Sequence, residues 1–188
     1  ACGTMAQPYI DCAIRLAERG IRAADVVAID CDTSEGYVHR LWDPIELKRS
    51  PPNAYAAKFS LPFIIAVALV TRDAGLGAFT EARVADPEIV ELAGKVSYRV
   101  NPDDPYPRVL TGHLRVTLRD GRRLTQKVTY AKGHPMNPLT DDEMTAKFRS
   151  IVVPTLGEAR TEELVARVWG IEDLSDSGDL IRLTFRPR

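Results

Sequence analysis

The chain has 188 residues, 45% of them hydrophobic and 27% charged, with a formal net charge of −1. That is enough chain for one good core or two small ones, and too balanced a composition for a disordered or fibrous protein. Charges of both signs are scattered, which argues against nucleic acid and a membrane surface as partners and leaves small molecules and protein surfaces.

The longest apolar run, Leu61–Val70, has about half the length of a bilayer span, and the N-terminus lacks a signal-peptide pattern, so a cytoplasmic chain is expected. Cys2, Cys12 and Cys31 form no CxxC pair. Their odd number points to reduced thiols rather than a disulfide framework or a thiolate metal site. His39, His113 and His134 are far apart and show no metal-binding spacing, so no metal site built within this chain is expected.

Taken in chain order, Pro8–Arg19 reads as a helix with proline at its first position and a stripe of Ile10, Ala13, Ile14 and Ala17, closed by Gly20. The β-branched run within Asp25–Asp32 reads as a strand. Leu41–Asn53, LWDPIELKRSPPN, is expected as an irregular surface loop because of its prolines. Ala54–Thr71 predicts a helix buried on several sides, with Pro62 either kinking it or marking its start. A third helical region over Gly77–Gly94 breaks at Asp86-Pro87, where a fresh turn is capped. Lys95–Asn101 alternates as a strand, and Asn101–Arg108 is proline-rich loop. His113–Arg119 and Arg122–Tyr130 flank Asp120-Gly121, the dipeptide of a type I′ hairpin.

Gly133–Ser150, GHPMNPLTDDEMTAKFRS, is the most informative stretch. A loop stiffened by Pro135 and Pro138 runs into a helix start with Thr140 as N-cap and Glu143 three residues on, a complete capping box, with Asp141 and Asp142 complementing the helix dipole. Such a junction fixes the angle at which a chain passes from one packed unit to another. Helices are expected over Asp141–Ile151, over Glu158–Val168 and from Leu174. The fold class is therefore α+β: a small domain with antiparallel strands and packed helices over 1–132, a crossing loop over 133–139, and C-terminal helices over 140–188. Those last helices bury too little surface to stand alone.

The segments AKFSLPFIIAVAL (57–69), FTEARVADPEIVELAGKV (79–96), GHPMNPLTDDEMTAKF (133–148) and VWGIEDLSD (168–176), with the hairpin at Asp120-Gly121, follow one another as in the MmgE/PrpD family, which this chain resembles over nearly its whole length. Family members include 2-methylcitrate dehydratase, cis-aconitate decarboxylase and iminodisuccinate epimerase. They are much longer, and the resemblance implies that this chain corresponds to their C-terminal part. It also implies that residues 140–188 return to a large all-helical domain contributed by an N-terminal part. The implied chemistry is cofactor-free elimination, decarboxylation or epimerisation of a small di- or tricarboxylic acid, beginning with proton abstraction beside a carboxylate. A homodimer is implied as well. The principal acid and base groups are expected in the helical domain, outside this chain.

Two positions depart from the family pattern. Where many members have a histidine four residues before the aspartate of the first helix, this chain has Gln7 before Asp11, and an amide cannot shuttle a proton. Where many have a tyrosine after the Phe-Ser pair, Phe59-Ser60 is followed by Phe63, which has no hydroxyl. Gln7, with Thr4 and the Gly3 backbone, is a candidate to receive a substrate carboxylate at a helix start. Lys58 would supply positive charge and Ser60 a hydrogen bond.

Each candidate has a plainer reading: a capping segment, a solvated lysine, and a serine bonded to its own helix. His134 is read as holding the crossing loop, while His39 and His113 carry little functional signal. Cys2 and Cys31 lack a neighbouring cation that would activate them. Trp42 and Trp169 read as packing anchors. The alternative to an enzyme part is a non-catalytic assembly or dimerisation module of the same fold.

Overall fold

The computed structural model describes residues 1–185. These form two compact units, one spanning Ala1–Pro138 and the other beginning at Leu139. Each is described by itself.

The first unit is α+β. Its sheet has the order β2-β1-β3-β4, formed by β1 (Val26–Thr33), β2 (Val96–Val100), β3 (Gly112–Leu118) and β4 (Arg123–Val128). β2 runs parallel to β1 after a long helical crossover, and β3 and β4 are antiparallel additions. Helix α1 (Gln7–Glu18) lies against β3 and β4, α5 (Leu61–Thr71) packs on α1, and α7 (Pro87–Gly94) packs on α5. One apolar cluster joins these helices to one face of the sheet. Every side chain from Leu61 to Leu69 is buried, as expected of a helix with no polar face.

Local chemistry explains most boundaries. Pro8 sits in the first turn of α1, and Gly20 follows the helix at φ +86°, a conformation that costs glycine little. Pro62 marks a start rather than a kink: a short α4 (Ala54–Ala57) ends, Ser60 accepts a hydrogen bond from the Phe63 N–H, and α5 begins. Asp86 caps α7 by accepting from the Glu88 N–H, and a one-turn α6 (Glu81–Val84) precedes it. α1 is seated by Tyr9, whose hydroxyl donates to the Asp32 carbonyl at 2.8 Å, and by the close approach of Gly112 to the Pro8 backbone.

Two expectations are corrected. Leu41–Asn53 is not a surface loop: Leu41 and Trp42 are buried, and α3 (Ile45–Arg49) forms between its prolines, following a one-turn α2 (Glu35–Tyr37). Pro44 falls just before that helix and Pro51 after it, so neither breaks it. The hairpin turn is not type I′ either. Only Gly121 has positive φ, the Gly121 N–H donates to the Leu118 carbonyl at 3.0 Å and the Leu118 N–H to the Arg122 carbonyl at 2.9 Å. This is a three-residue loop closed by a glycine bulge, and Asp120 accepts from the Arg122 N–H instead of adopting left-handed backbone.

The segment after β4 is held by Asn137, which donates to the Tyr130 carbonyl, and by Asp11, which accepts from the Lys132 N–H. His134 stacks on Tyr130 at 4.6 Å, and its Nδ1 accepts from the Met136 N–H. The ring braces the loop.

The second unit contains α8 (Asp141–Leu156), α9 (Glu158–Trp169) and α10 (Gly178–Thr184). The capping box of α8 is complete, with Thr140 Oγ1 accepting at 3.2 Å and Glu143 Oε2 at 2.8 Å. α8 continues past Ile151 to Leu156 with Pro154 inside it, beyond the expected end. Arg149 makes a bidentate pair with Glu162 at 2.6 and 2.7 Å, joining α8 to α9. Within the helices of this unit only Thr161 and Leu164 are buried, whereas Met144, Ile151, Val168, Trp169 and Ile181 stand exposed.

Candidate functional site

The N-terminal turn and the α4–α5 junction meet on one surface. Thr4–Ala6 form a 3-10 turn that runs into α1, and the Gly3 N–H points to the Lys58 carbonyl at 3.5 Å. That contact changes the expected role of Gly3: its amide faces protein instead of standing free for an anion. Thr4 and Gln7 are exposed and Lys58 is half-buried. Lys58 has no ion pair among the described residues, whereas nearby Lys48 is consumed by the Arg40 and Phe59 carbonyls, and burial lowers its pKa. Beside Lys58, Phe59 and Tyr55 stand 40% and 71% exposed, ring to ring at 5.4 Å. Cys2 adjoins this surface with its thiol pKa raised, burial outweighing the nearby positive charges.

Ser60 and Phe63 lie just behind it. Both are fully buried. The Ser60 hydroxyl donates to the Lys48 carbonyl while accepting from the Phe63 N–H, and the Phe63 ring packs 6.3 Å from that of Phe79. These two side chains fix where Lys58 and Phe59 stand. Of the predicted set, Thr4 and Gln7 are exposed and Lys58 is half-buried, whereas Ser60 and Phe63 are not accessible.

A second polar cluster was not expected from the sequence. Strand alternation sends Ile29 and Cys31 into the core and Asp30 and Asp32 to the opposite face. There Asp32 pairs in register with Arg99 of β2 on one side and His113 of β3 on the other. Its carboxylate accepts from Arg115 Nη1 and Nη2 at 2.7 and 2.9 Å and from Arg99 Nε at 2.5 Å, and meets His113 Nδ1 at 2.5 Å. The Arg115 guanidinium, then Arg99 and His113, hold the Asp32 carboxyl well below the usual carboxylate range although partial burial opposes them. The available signal was the pairing of Asp30-Cys31-Asp32 with His113-Leu114-Arg115, which required a register that only the fold supplies.

Trp42 is the anchor its type suggested, its indole donating to Thr33 Oγ1 at 2.9 Å. Cys12 and Cys31 are buried, and burial pushes the Cys12 thiol up to about 12. No group of His, Cys, Asp or Glu among the described residues is arranged to hold a metal ion, and no helix among them is long and apolar enough to cross a membrane.

The chain's similarities to known proteins agree with its motifs. The cis-aconitate decarboxylase of Homo sapiens is 28% identical over 138 residues, which is 73% of this chain and 29% of that protein. The cis-aconitate decarboxylase of Aspergillus terreus is 28% identical over 149 residues, 77% of this chain and 30% of that protein. The aligned part thus covers under a third of these relatives' length. A family model for the MmgE/PrpD C-terminal domain matches residues 1–171, and the chain belongs to the MmgE/PrpD family.

Proposed function

We propose that this chain is the C-terminal part of a cofactor-free lyase or isomerase that acts on a small di- or tricarboxylic acid. The observation that carries the reading is the meeting of the N-terminal turn, with exposed Thr4 and Gln7, and the α4–α5 junction at the Gly3–Lys58 backbone contact, where Lys58 has no ion pair among the described residues, in a chain of this family. Lys58 would neutralise a substrate carboxylate, and the Gln7 amide and Thr4 hydroxyl would donate hydrogen bonds to its oxygens. Removing a proton, or carbon dioxide, from the carbon beside a carboxylate leaves negative charge that such donors stabilise. Gln7 and Phe63 supply neither a proton shuttle nor a phenol here, so the acid and base belong to a helical portion outside this chain. The exposed apolar side of α8–α10 would dock on that portion.

The test is deuterium exchange and turnover in D2O. The full-length polypeptide is given cis-aconitate, 2-methylcitrate and iminodisuccinate and followed by proton NMR. Turnover of one of them, reduced at least tenfold by K58Q, is expected. Absence of exchange and turnover with all three would refute the reading and favour the second one, a non-catalytic assembly module, which the loss of proton-transfer groups at Gln7 and Phe63 supports.

A further inference from the structure

We infer that the outer face of the sheet carries an anion site for a small polycarboxylate, built from Arg99, His113, Arg115 and Lys127 around Asp32. It lies on the face opposite the helices and is independent of the reaction proposed above.

Charge is the first reason. On this face the strands present four cations, Arg99, Arg115, Arg123 and Lys127, against two carboxylates, Asp30 and Asp32. The chain as a whole has a net charge of −1, so the excess is local. Asp32 is shared by two guanidiniums and an imidazole, and Asp30 accepts from Ser97 Oγ at 2.7 Å. A device for tying strands together needs one cation per carboxylate; this one has a surplus.

Donor accounting is the second. Arg99 gives only its Nε to Asp32, and its side chain is 69% exposed, so both Nη groups face solvent. His113 spends Nδ1 on Asp32 and keeps Nε2. Lys127 stands opposite His113 in the β3–β4 register, exposed, with no ion pair among the described residues. Asp32, its side chain only 10% exposed, acts as a fixed post that orders Arg99, Arg115 and His113 before a ligand arrives, which lowers the entropy cost of binding. Arg99 on β2 reaches Asp32 on β1 and Lys127 stands on β4 beyond His113, so the free guanidinium and ammonium groups flank the cluster from the two outer strands, an arrangement that suits an anion with more than one carboxylate.

The labelled chain is titrated with tricarballylate, and separately with phosphate, at ionic strength held constant with chloride, while the His113 ring and Arg99 guanidinium signals are followed by NMR. Saturable shifts confined to the outer face of the four-stranded sheet, centred on Asp32 and its neighbours, are expected with tricarballylate. K127Q and R99Q should each weaken binding about tenfold, and K58Q should leave it unchanged, which separates this site from the surface at α1. K127Q removes no internal contact and remains informative if R99Q folds poorly. Drift no greater than chloride produces, saturation by phosphate alone, or unchanged affinity in K127Q would overturn the assignment.

Discussion

Replacing Asp32 by Asn removes a charge whose partners stay behind. Arg115 loses a bidentate acceptor while its side chain is only 27% exposed, and Arg99, at 69%, returns to solvent with little loss. Breaking a fully buried ion pair costs about 3–5 kcal/mol, and partial exposure of these partners reduces that to about 2–4 kcal/mol. For a unit of this size the expected fall in Tm at neutral pH is about 10 °C. Trp42 is buried within the affected unit and Trp169 lies in the other, so fluorescence melting in a Trp169→Phe background reports the right transition.

The pH dependence carries its own sign. Asp32 titrates lower in the folded state than in the unfolded one, so its stabilisation is complete above the unfolded value of about 4 and fades as pH falls toward the folded value. Below about pH 4 the unfolded state binds the extra proton, and wild type loses up to about 1.4 kcal/mol per pH unit that the Asn variant does not. The gap between the two proteins should therefore narrow with acid. Equal stability at pH 7, or a gap that stays constant down to pH 3, would refute this account of the cluster.

Gly112→Ala places a Cβ 2.5 Å from the Pro8 carbonyl carbon and oxygen, so it should cost at least about 3 kcal/mol in denaturant unfolding. Gly94→Ala, with nothing within 4 Å, should stay within about 1 kcal/mol of wild type on the stabilising side. Thr140→Ala removes half of the capping box and should cost about 1 kcal/mol, read as faster hydrogen exchange in the first turn of α8. In native protein at pH 8 a thiol reagent should titrate Cys2 alone, and slowly, because Cys12 and Cys31 are buried; all three should react in denaturant. Ile151→Lys and Val168→Lys, at positions 46% and 49% exposed, should change the chain's own stability by less than about 0.5 kcal/mol. In the full-length polypeptide the same variants should depress activity if this side of α8 and α9 docks on the helical portion.

What could be read in the sequence was what is decided locally. Thr140 with Glu143, Pro62 behind Ser60, Asp86 before Pro87 and glycine at position 20 each set a boundary through contacts a few residues apart. The hairpin was legible as a hairpin, but not its turn, because one positive φ at Gly121 with a bulge suits Asp-Gly as well as the type I′ arrangement does. Burial of Leu41 and Trp42 escaped the pattern because they lie in a single π-helical turn, Val38–Trp42, whose period matches neither an α-helix nor a strand, and Trp42 is enclosed by the rings of Tyr9 and Tyr98. The Asp32 cluster joins residues 67 and more positions apart, Arg99 through the parallel register that the helical crossover sets and His113 and Arg115 through the antiparallel pairing of β1 with β3. Nothing near Asp32 in the chain announces Arg99. At the candidate site, exposure separated the predicted residues into those that solvent reaches, Thr4, Gln7 and the half-buried Lys58, and those it does not, Ser60 and Phe63.

The two units differ in how their order is sustained. In the first, a sheet face and three helices enclose a continuous cluster that includes fully buried Tyr9, Trp42, Phe63, Ile64 and Ile65, and that burial opposes the entropy of ordering the chain. In the second, Leu164 is the one large apolar side chain buried within the described helices. A groove of about 500 Å³ opens beside it, lined by Phe148, Ile151, Val168 and Ile181 among others. Ordering each residue costs about 1–2 kcal/mol, which so little burial cannot offset. Capping at Thr140 and the Arg149–Glu162 pair choose the helical conformation without supplying that missing free energy. In the proposed reading an apolar surface of the helical portion would cover the open side of α8–α10 and supply it, which is what Ile151→Lys and Val168→Lys test.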